Sequence, residues 1–283
     1  MARTPDFIGI GPSKTASTWM AVCLAEHPEI YLPIKELHFF SWEERWQKGY
    51  DWYESFFKKC PASAKKGEVS TTYFFTSSAP ERIYTRYPNT KIITCLRNPA
   101  DRIYSNYLHS LRFERLAPQT SLKEALKERP IYLESTRYAT HLKNYLKLFP
   151  QEQILILIYE DIFKNPLAFV RSIYKFIGVN DNFTPPSLNE KLNVGLVSRR
   201  PEIERWLLLI ANRLQIMGMG FNKIINLLKR FKIDKLLIKL NTNRTKTENH
   251  KLTSQERQEL NDYFKEEIEK LEMIINRKLT AWY

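Results

Sequence analysis

Short continuous apolar runs alternate along this chain with stretches of helical spacing. Residues 7–10 (Phe-Ile-Gly-Ile), 92–96 and 154–158 are each too short for a free-standing helix, and they read as strands buried on both faces, as in a parallel sheet. Residues 30–32 read as a further short strand. Residues 67–75 have the β-branched and aromatic content of another, which breaks up at Ser77 and Ser78. Between these runs the pattern predicts helices over residues 19–27, ending before Pro28, over the aromatic-rich 42–57, and over the basic 80–87. Strands alternating with helices predict an α/β fold, a central parallel sheet flanked by helices. The division expected is one domain over 1–283, with an α/β core about 1–195 and a basic helical region about 196–283.

The first strand ends in Gly9, Gly11 and Pro12 and is followed by Ser13, Lys14, Thr15, Ala16, Ser17 and Thr18 before the apolar helix begins. A strand, a small-residue turn and a helix start direct several backbone N–H groups one way, with hydroxyls and one lysine around them. That arrangement suits an anion. A triphosphatase loop would read GxxxxGK[ST]. Here Ser13 precedes Lys14 and Ile8 stands where the first glycine belongs, so both glycines are missing.

The strand over 92–96 ends at Arg97, and Asn98 and Pro99 then supply a helix cap and a first helical residue. Ligands of open α/β sheets bind at the carboxyl ends of strands, so Arg97 is expected to meet the ligand of Lys14. Ser105 lies eight residues beyond Arg97, and an arginine fork with a hydroxyl grips a second phosphate well. Residues 91–96 contain no aspartate or glutamate, which speaks against magnesium-assisted phosphoryl transfer.

Between the two lies Lys35-Glu36-Leu37-His38-Phe39-Phe40. Burial against aromatics would raise the carboxyl pKa of Glu36 and keep it ready for proton transfer. Equally, Glu36 can pair with Lys35 or Arg45, with His38 a satisfied core residue.

The formal charge is +13, and 13 basic against 4 acidic side chains between Gly195 and Lys251 place +9 of it in one segment. A local excess of this kind is not a nucleic-acid-binding composition; no nucleic-acid partner is expected. Residues 224–240 alternate apolar and basic positions, which allows a solvated helix or peripheral contact with an anionic membrane. No window approaches the ~18 apolar residues of a membrane span. The three cysteines (Cys23, Cys60, Cys95) lack metal-ligand spacing, and residues 1–7 lack the apolar core of a secretory signal, so a reducing cytoplasm is expected.

The pairing of PSKTASTW with LRNPADRIYSNY resembles the two nucleotide-binding signatures of sulfotransferases that use 3′-phosphoadenosine 5′-phosphosulfate (PAPS), which leave 3′-phosphoadenosine 5′-phosphate (PAP) as product. KELHFF is similar to the KExHFF of glucosaminyl 3-O-sulfotransferases and many bacterial sulfotransferases, whose glutamate is the catalytic base. Residues 138–161, 165–179, the 189–200 loop and 252–282 also resemble segments of the family. The resemblance implies a P-loop-containing nucleotide-binding fold in which residues 13–18 bind the 5′-phosphosulfate. Arg97 and Ser105 would bind the 3′-phosphate, with Arg199 and Arg200 near the cofactor. Lys14, Glu36 and His38 would be catalytic and no metal needed. Should Glu36 prove dispensable, His38 and His109 remain as candidates.

Two departures bear on the acceptor. Ser41 stands where an acidic residue often follows HFF, and the family's EKTPxY appears as Glu68-Val69-Ser70-Thr71-Thr72-Tyr73. A heparan-like acceptor is therefore not expected. The resemblance points instead to a hydroxyl, or less favourably an amine, of a small metabolite, glycolipid or oligosaccharide. Two other classes stay open: a kinase-like P-loop enzyme, and a silent module that docks on a membrane or acidic polymer.

Overall fold

The computed structural model describes residues 4–113, 115–190 and 252–283. Arg199, Arg200 and the basic stretch 224–240 lie outside the described residues. The described chain forms two compact units, one of residues 4–97 with 138–190, the other of 98–137 with 252–283.

The first unit is built on five parallel strands: β1 (Phe7–Gly11), β2 (Ile30–Tyr31), β3 (Lys65–Val69), β4 (Lys91–Leu96) and β5 (Ile154–Ile158). Their order is β2-β3-β1-β4-β5. The central β1 pairs Phe7 with Gly67 on one side and with Lys91 on the other, and Ile92 pairs onward with Ile154. Phe7, Ile8, Ile10, Ile92 and Ile93 are fully buried, as continuous apolar strands covered on both faces must be. The helices of this unit are α1 (Ser17–Glu26), α2 (Glu43–Trp46), α3 (Gly49–Ser55), α4 (Ala79–Arg86), α8 (Tyr138–Leu146), α9 (Asp161–Lys164) and α10 (Pro166–Ile177), numbered in chain order with those below. The last ends at Gly178, whose φ of 88° closes it in the left-handed region.

Two elements differ from the sequence pattern. The strand expected over 67–75 stops at Val69: the Ser70 N–H still donates to Gly9 on β1, but the Thr71 N–H and the hydroxyls of Ser70, Thr71 and Thr72 bond the 36–38 segment, and Tyr73–Phe75 close into a 3₁₀ turn. The helix expected over 42–57 is two short ones, interrupted before Gly49 at φ 75°. Its aromatics do pack: Tyr53 stacks on Phe39 with centroids 4.8 Å apart, and Phe40 sits edge-on to Tyr73 at 5.3 Å.

The second unit is helical: α5 (Pro99–Arg112), α6 (Leu122–Glu128), α7 (Ile131–Glu134) and α11 (Ser254–Ile275). Asn98 caps α5, accepting from the Asp101 N–H at 3.1 Å, with Pro99 in the first helical position. Ser121 with Glu124 and Thr253 with Glu256 form capping boxes at α6 and α11. Arg257 on α11 reaches Asp101 on α5 at 2.7 Å. The closing Trp282 is buried, and its carbonyl accepts from Asn98 Nδ2 at 3.3 Å.

Candidate active site

The loop after β1 begins where its backbone passes close against the segment that follows β3. A Cβ on Gly11 would lie 2.6 Å from the Thr71 carbonyl oxygen and 2.7 Å from its Cα, and Gly11 itself has φ 95°. Only glycine satisfies both conditions. Further on, Lys14 and Ala16 hold φ values of 70° and 60°, a left-handed conformation that costs a non-glycine residue about 1–3 kcal/mol. Thr15 Oγ1 donates to the Pro12 carbonyl at 2.8 Å and is buried, which pins the turn. Thr94 Oγ1 on β4 donates to the Gly11 carbonyl at 2.5 Å. The α1 helix then starts at Ser17 with no side-chain cap and no acidic residue in its first turn, so nothing negative offsets its positive end.

Arg97 lies at the carboxyl end of β4. Its guanidinium donates to the Lys14 carbonyl at 3.3 Å and lies over the Tyr159 ring, 4.5 Å from the centroid. Tyr138 donates to the Arg97 carbonyl at 2.8 Å. The structure thus brings Arg97 to the turn that carries Lys14. Ser105 is half-buried on α5, in the helical unit, as is His109.

The second half of the site hangs from the end of β3. Lys35 bridges to Val69 in parallel register, and the Glu36 N–H donates to the Val69 carbonyl at 2.8 Å. Glu36 and His38 then take φ values of 61° and 52°, two further non-glycine residues in the left-handed region. The Glu36 carboxylate accepts from Lys35 Nζ at 2.5 Å on Oε1 and from the Thr71 N–H and Oγ1, both at 3.0 Å, on Oε2. His38 Nε2 lies 3.2 Å from the same Oε2. Thr71 is therefore a shared wall, with Gly11 packed on its backbone and Glu36 bonded to its N–H and hydroxyl.

The expectation that burial would raise the Glu36 carboxyl is overturned. Burial is the largest single influence and pushes it up, but Lys35, His38 and the Thr71 hydrogen bonds together hold it below the ordinary carboxylate range. Glu36 does pair with Lys35, the alternative its neighbours allowed. Arg45 takes no part in that carboxylate pair; it donates to the Glu36 carbonyl at 3.1 Å and to that of Leu37. His38 is pushed down to about 4, first by burial and then by Arg45 and Lys35, against the pull of Glu36. At neutral pH the ring is uncharged. It stacks on Trp42 at 4.3 Å and 17°, and Trp42 is 46% exposed.

A buried carboxyl supports this segment from below. Glu68 has no exposed surface and accepts from Ser70 Oγ at 2.7 Å and Tyr73 Oη at 2.8 Å. Those same oxygens accept from the backbone N–H groups of His38 (3.0 Å) and Phe39 (2.8 Å). Burial pushes Glu68 up to about 7, against the hydrogen bonds from Ser70 and Tyr73 that favour its charge. Sequence reasoning missed these supports. The signal was the hydroxyl-rich Ser70-Thr71-Thr72 at the end of a strand pattern, where side chains that bond the backbone end a ladder.

Residues 4–194 match the family of the sulfotransferase domain. The chain belongs to the sulfotransferase family. It is 33% identical over 198 residues to the human bifunctional heparan sulfate N-deacetylase/N-sulfotransferase 2 and 30% identical over 200 residues to the Xenopus laevis N-deacetylase/N-sulfotransferase 1. These matches cover 62% and 63% of the chain but only 22% and 23% of those proteins, so the chain aligns with about a fifth of the length of the curated relatives it matches. The crystal structure of a sulfotransferase from Alicyclobacillus acidocaldarius superposes with a TM-score of 0.70 at 25% identity, covering 100% of this chain and 99% of that one. Among the described residues, no group of three or more His, Cys, Asp or Glu side chains is arranged to hold a metal ion, and no helix is long and apolar enough to cross a membrane.

Proposed function

We propose that Glu36 is the general base of a PAPS-dependent transfer in which the acceptor approaches from the His38–Trp42 side of the site. The observation that carries this reading is the shared contact at Thr71: the start of the anion-binding turn and the Glu36 carboxylate lie against one residue. The turn suits a phosphosulfate, since residues 13–18 offer backbone N–H groups, hydroxyls and a lysine at an uncapped helix start. The donor supplies an activated sulfuryl group whose leaving group is a phosphate. Lys14 neutralises the charge that grows on the bridging oxygen, and Ser13, Thr15, Ala16, Ser17 and Thr18 hold the 5′-phosphate. Arg97 recognises the 3′-phosphate; Ser105, Arg199 and Arg200 join it on sequence grounds alone. Glu36, ionised and held by Lys35 and Thr71, takes the acceptor proton as the oxygen or nitrogen attacks. His38 stays neutral and orients that carboxylate.

The acceptor we propose is a hydroxyl or amine of a small metabolite, glycolipid or oligosaccharide. The N-sulfotransferase relatives favour an amine on a glycan; Ser41 and Val69, where glycan enzymes carry an acidic residue and a lysine, favour a less charged molecule. The enzyme is proposed to act in the cytoplasm, in keeping with three free thiols. Contact of 224–240 with an anionic membrane is a further proposal, tested by liposome sedimentation with and without salt.

Calorimetry with PAP, ADP and ATP, with and without magnesium, tests the donor. Tight metal-independent binding of PAP that is lost in Arg97→Ala is expected; preference for ATP with magnesium would overturn the reading. Sulfuryl transfer to N-desulfated heparan sulfate, simple glycosides and 4-nitrophenol then separates the acceptor classes.

A further inference from the structure

His38 Nδ1 is hydrogen-bonded and Nε2 lies at ion-pair distance from a carboxylate, and these two neighbours dictate where its proton sits. On one edge Nε2 faces Glu36 Oε2 at 3.2 Å. An ionised carboxylate only accepts, so a bare Nε2 would set one lone pair against another; the proton belongs on Nε2. On the other edge Nδ1 lies 2.7 Å from Thr72 Oγ1. With Nε2 protonated and the ring neutral, Nδ1 is an acceptor and Thr72 must donate to it. That leaves the Thr72 oxygen to accept, and Ser41 Oγ lies 2.6 Å away, nearer than the 3.3 Å that separates it from its other partner, the His38 carbonyl. Thr72 itself is held in place by Thr76 Oγ1, which donates to the Thr72 carbonyl at 2.8 Å. Donation therefore runs one way, from Ser41 through Thr72 to His38 Nδ1, which leaves the ring proton on Nε2, at ion-pair distance from Glu36.

We propose that Thr72, backed by Ser41, is a positioning residue that fixes the Nε2–H tautomer of His38 and through it the orientation of the Glu36 carboxylate. The tautomer follows from these contacts together with an ionised Glu36 and a neutral ring; its value for turnover rests on the proposed role of Glu36. Ser41 gains a meaning here. A carboxylate at that position would attract a second proton onto the ring, whereas two hydroxyls supply a donor and add no charge. The chain keeps His38 neutral beside a base that must stay ionised.

The test is the protonation pattern of His38 in the full-length, ¹⁵N-labelled protein at pH 7, read from long-range ¹H–¹⁵N spectra. The His38 signal among the five histidines is assigned by its loss in His38→Asn. The wild type is expected to show protonated Nε2 and bare Nδ1. Thr72→Val should mix or reverse the tautomers, and Thr72→Ser should restore them. PAP affinity by calorimetry should be unchanged in both variants, while sulfuryl transfer falls about tenfold in Thr72→Val and recovers in Thr72→Ser, within the ~10²-fold at the low end of general base catalysis. A doubly protonated or Nδ1–H ring in the wild type, or an unaltered tautomer in Thr72→Val, overturns the proposal. If the tautomers behave as expected but Glu36→Gln turns over normally, the hydroxyl relay stands and the assignment of the base falls.

Discussion

Replacing Glu68 by Gln probes the buried support of the catalytic segment. The folded protein holds the Glu68 proton up to about pH 7, against 4.5 for an ordinary glutamate. The sign follows from linkage. A carboxyl raised in the folded state adds stability that is complete below pH 4.5 and is lost as pH rises through about 7. At about 1.4 kcal/mol per pH unit the full effect is about 3 kcal/mol, of which about 2.5 kcal/mol falls between pH 5 and 8. Glutamine keeps the shape and cannot ionise. Its stability relative to the wild type should therefore improve by about 2.5 kcal/mol across that range. His38 titrates in the opposite sense: lowered from 6.5 to about 4, its contribution is complete above 6.5 and is lost as pH falls towards 4. The wild-type curve alone is thus nearly flat where the two overlap. Only the difference between variant and wild type isolates Glu68, because the charges acting on His38 are Glu36, Arg45 and Lys35. Urea midpoints from tryptophan fluorescence at pH 5, 6, 7 and 8 supply it. A difference constant to within about 1 kcal/mol would mean that Glu68 ionises normally, and that Ser70 and Tyr73 do not enclose it as described.

Other substitutions test the site piece by piece. Gly11→Ala must drive a Cβ into the Thr71 backbone at φ 95°; it should lower the melting temperature, at a cost of about 1–3 kcal/mol, and abolish PAP binding by calorimetry. Glu36→Gln should bind PAP as the wild type does and lose at least about 10²-fold in turnover, measured by transfer of radiolabelled sulfate. Arg97→Ala should cut the preference for PAP over ADP by about 10- to 100-fold in titrations, the worth of one charged hydrogen bond to a phosphate. Chelation with EDTA should leave the rate of sulfuryl transfer unchanged.

Much of this protein is determined by local sequence. Short continuous apolar runs suit strands covered on both faces of a parallel sheet, so β1, β4 and β5 fall where residues 7–10, 92–96 and 154–158 read as strands. Asn98-Pro99 and Gly178 mark helix ends because their conformational limits are their own. The chemistry of Ser13 to Thr18, Lys35 to Phe40 and Arg97 is likewise legible, since residue type and order are enough to suggest anion, base and second anion. What local sequence does not determine is which groups face one another. The protonation of Glu36 and His38 depends on Lys35, Thr71, Thr72 and Arg45 meeting around them, and Thr71 and Thr72 arrive from 35 and 34 residues away. Burial alone argues for a raised carboxyl at Glu36; the folded chain reverses the direction, because Lys35, His38 and the Thr71 N–H together outweigh desolvation. For the same reason the strand at residues 67–75 ends early. Its hydroxyls meet, across the fold, partners that a sheet ladder could not offer.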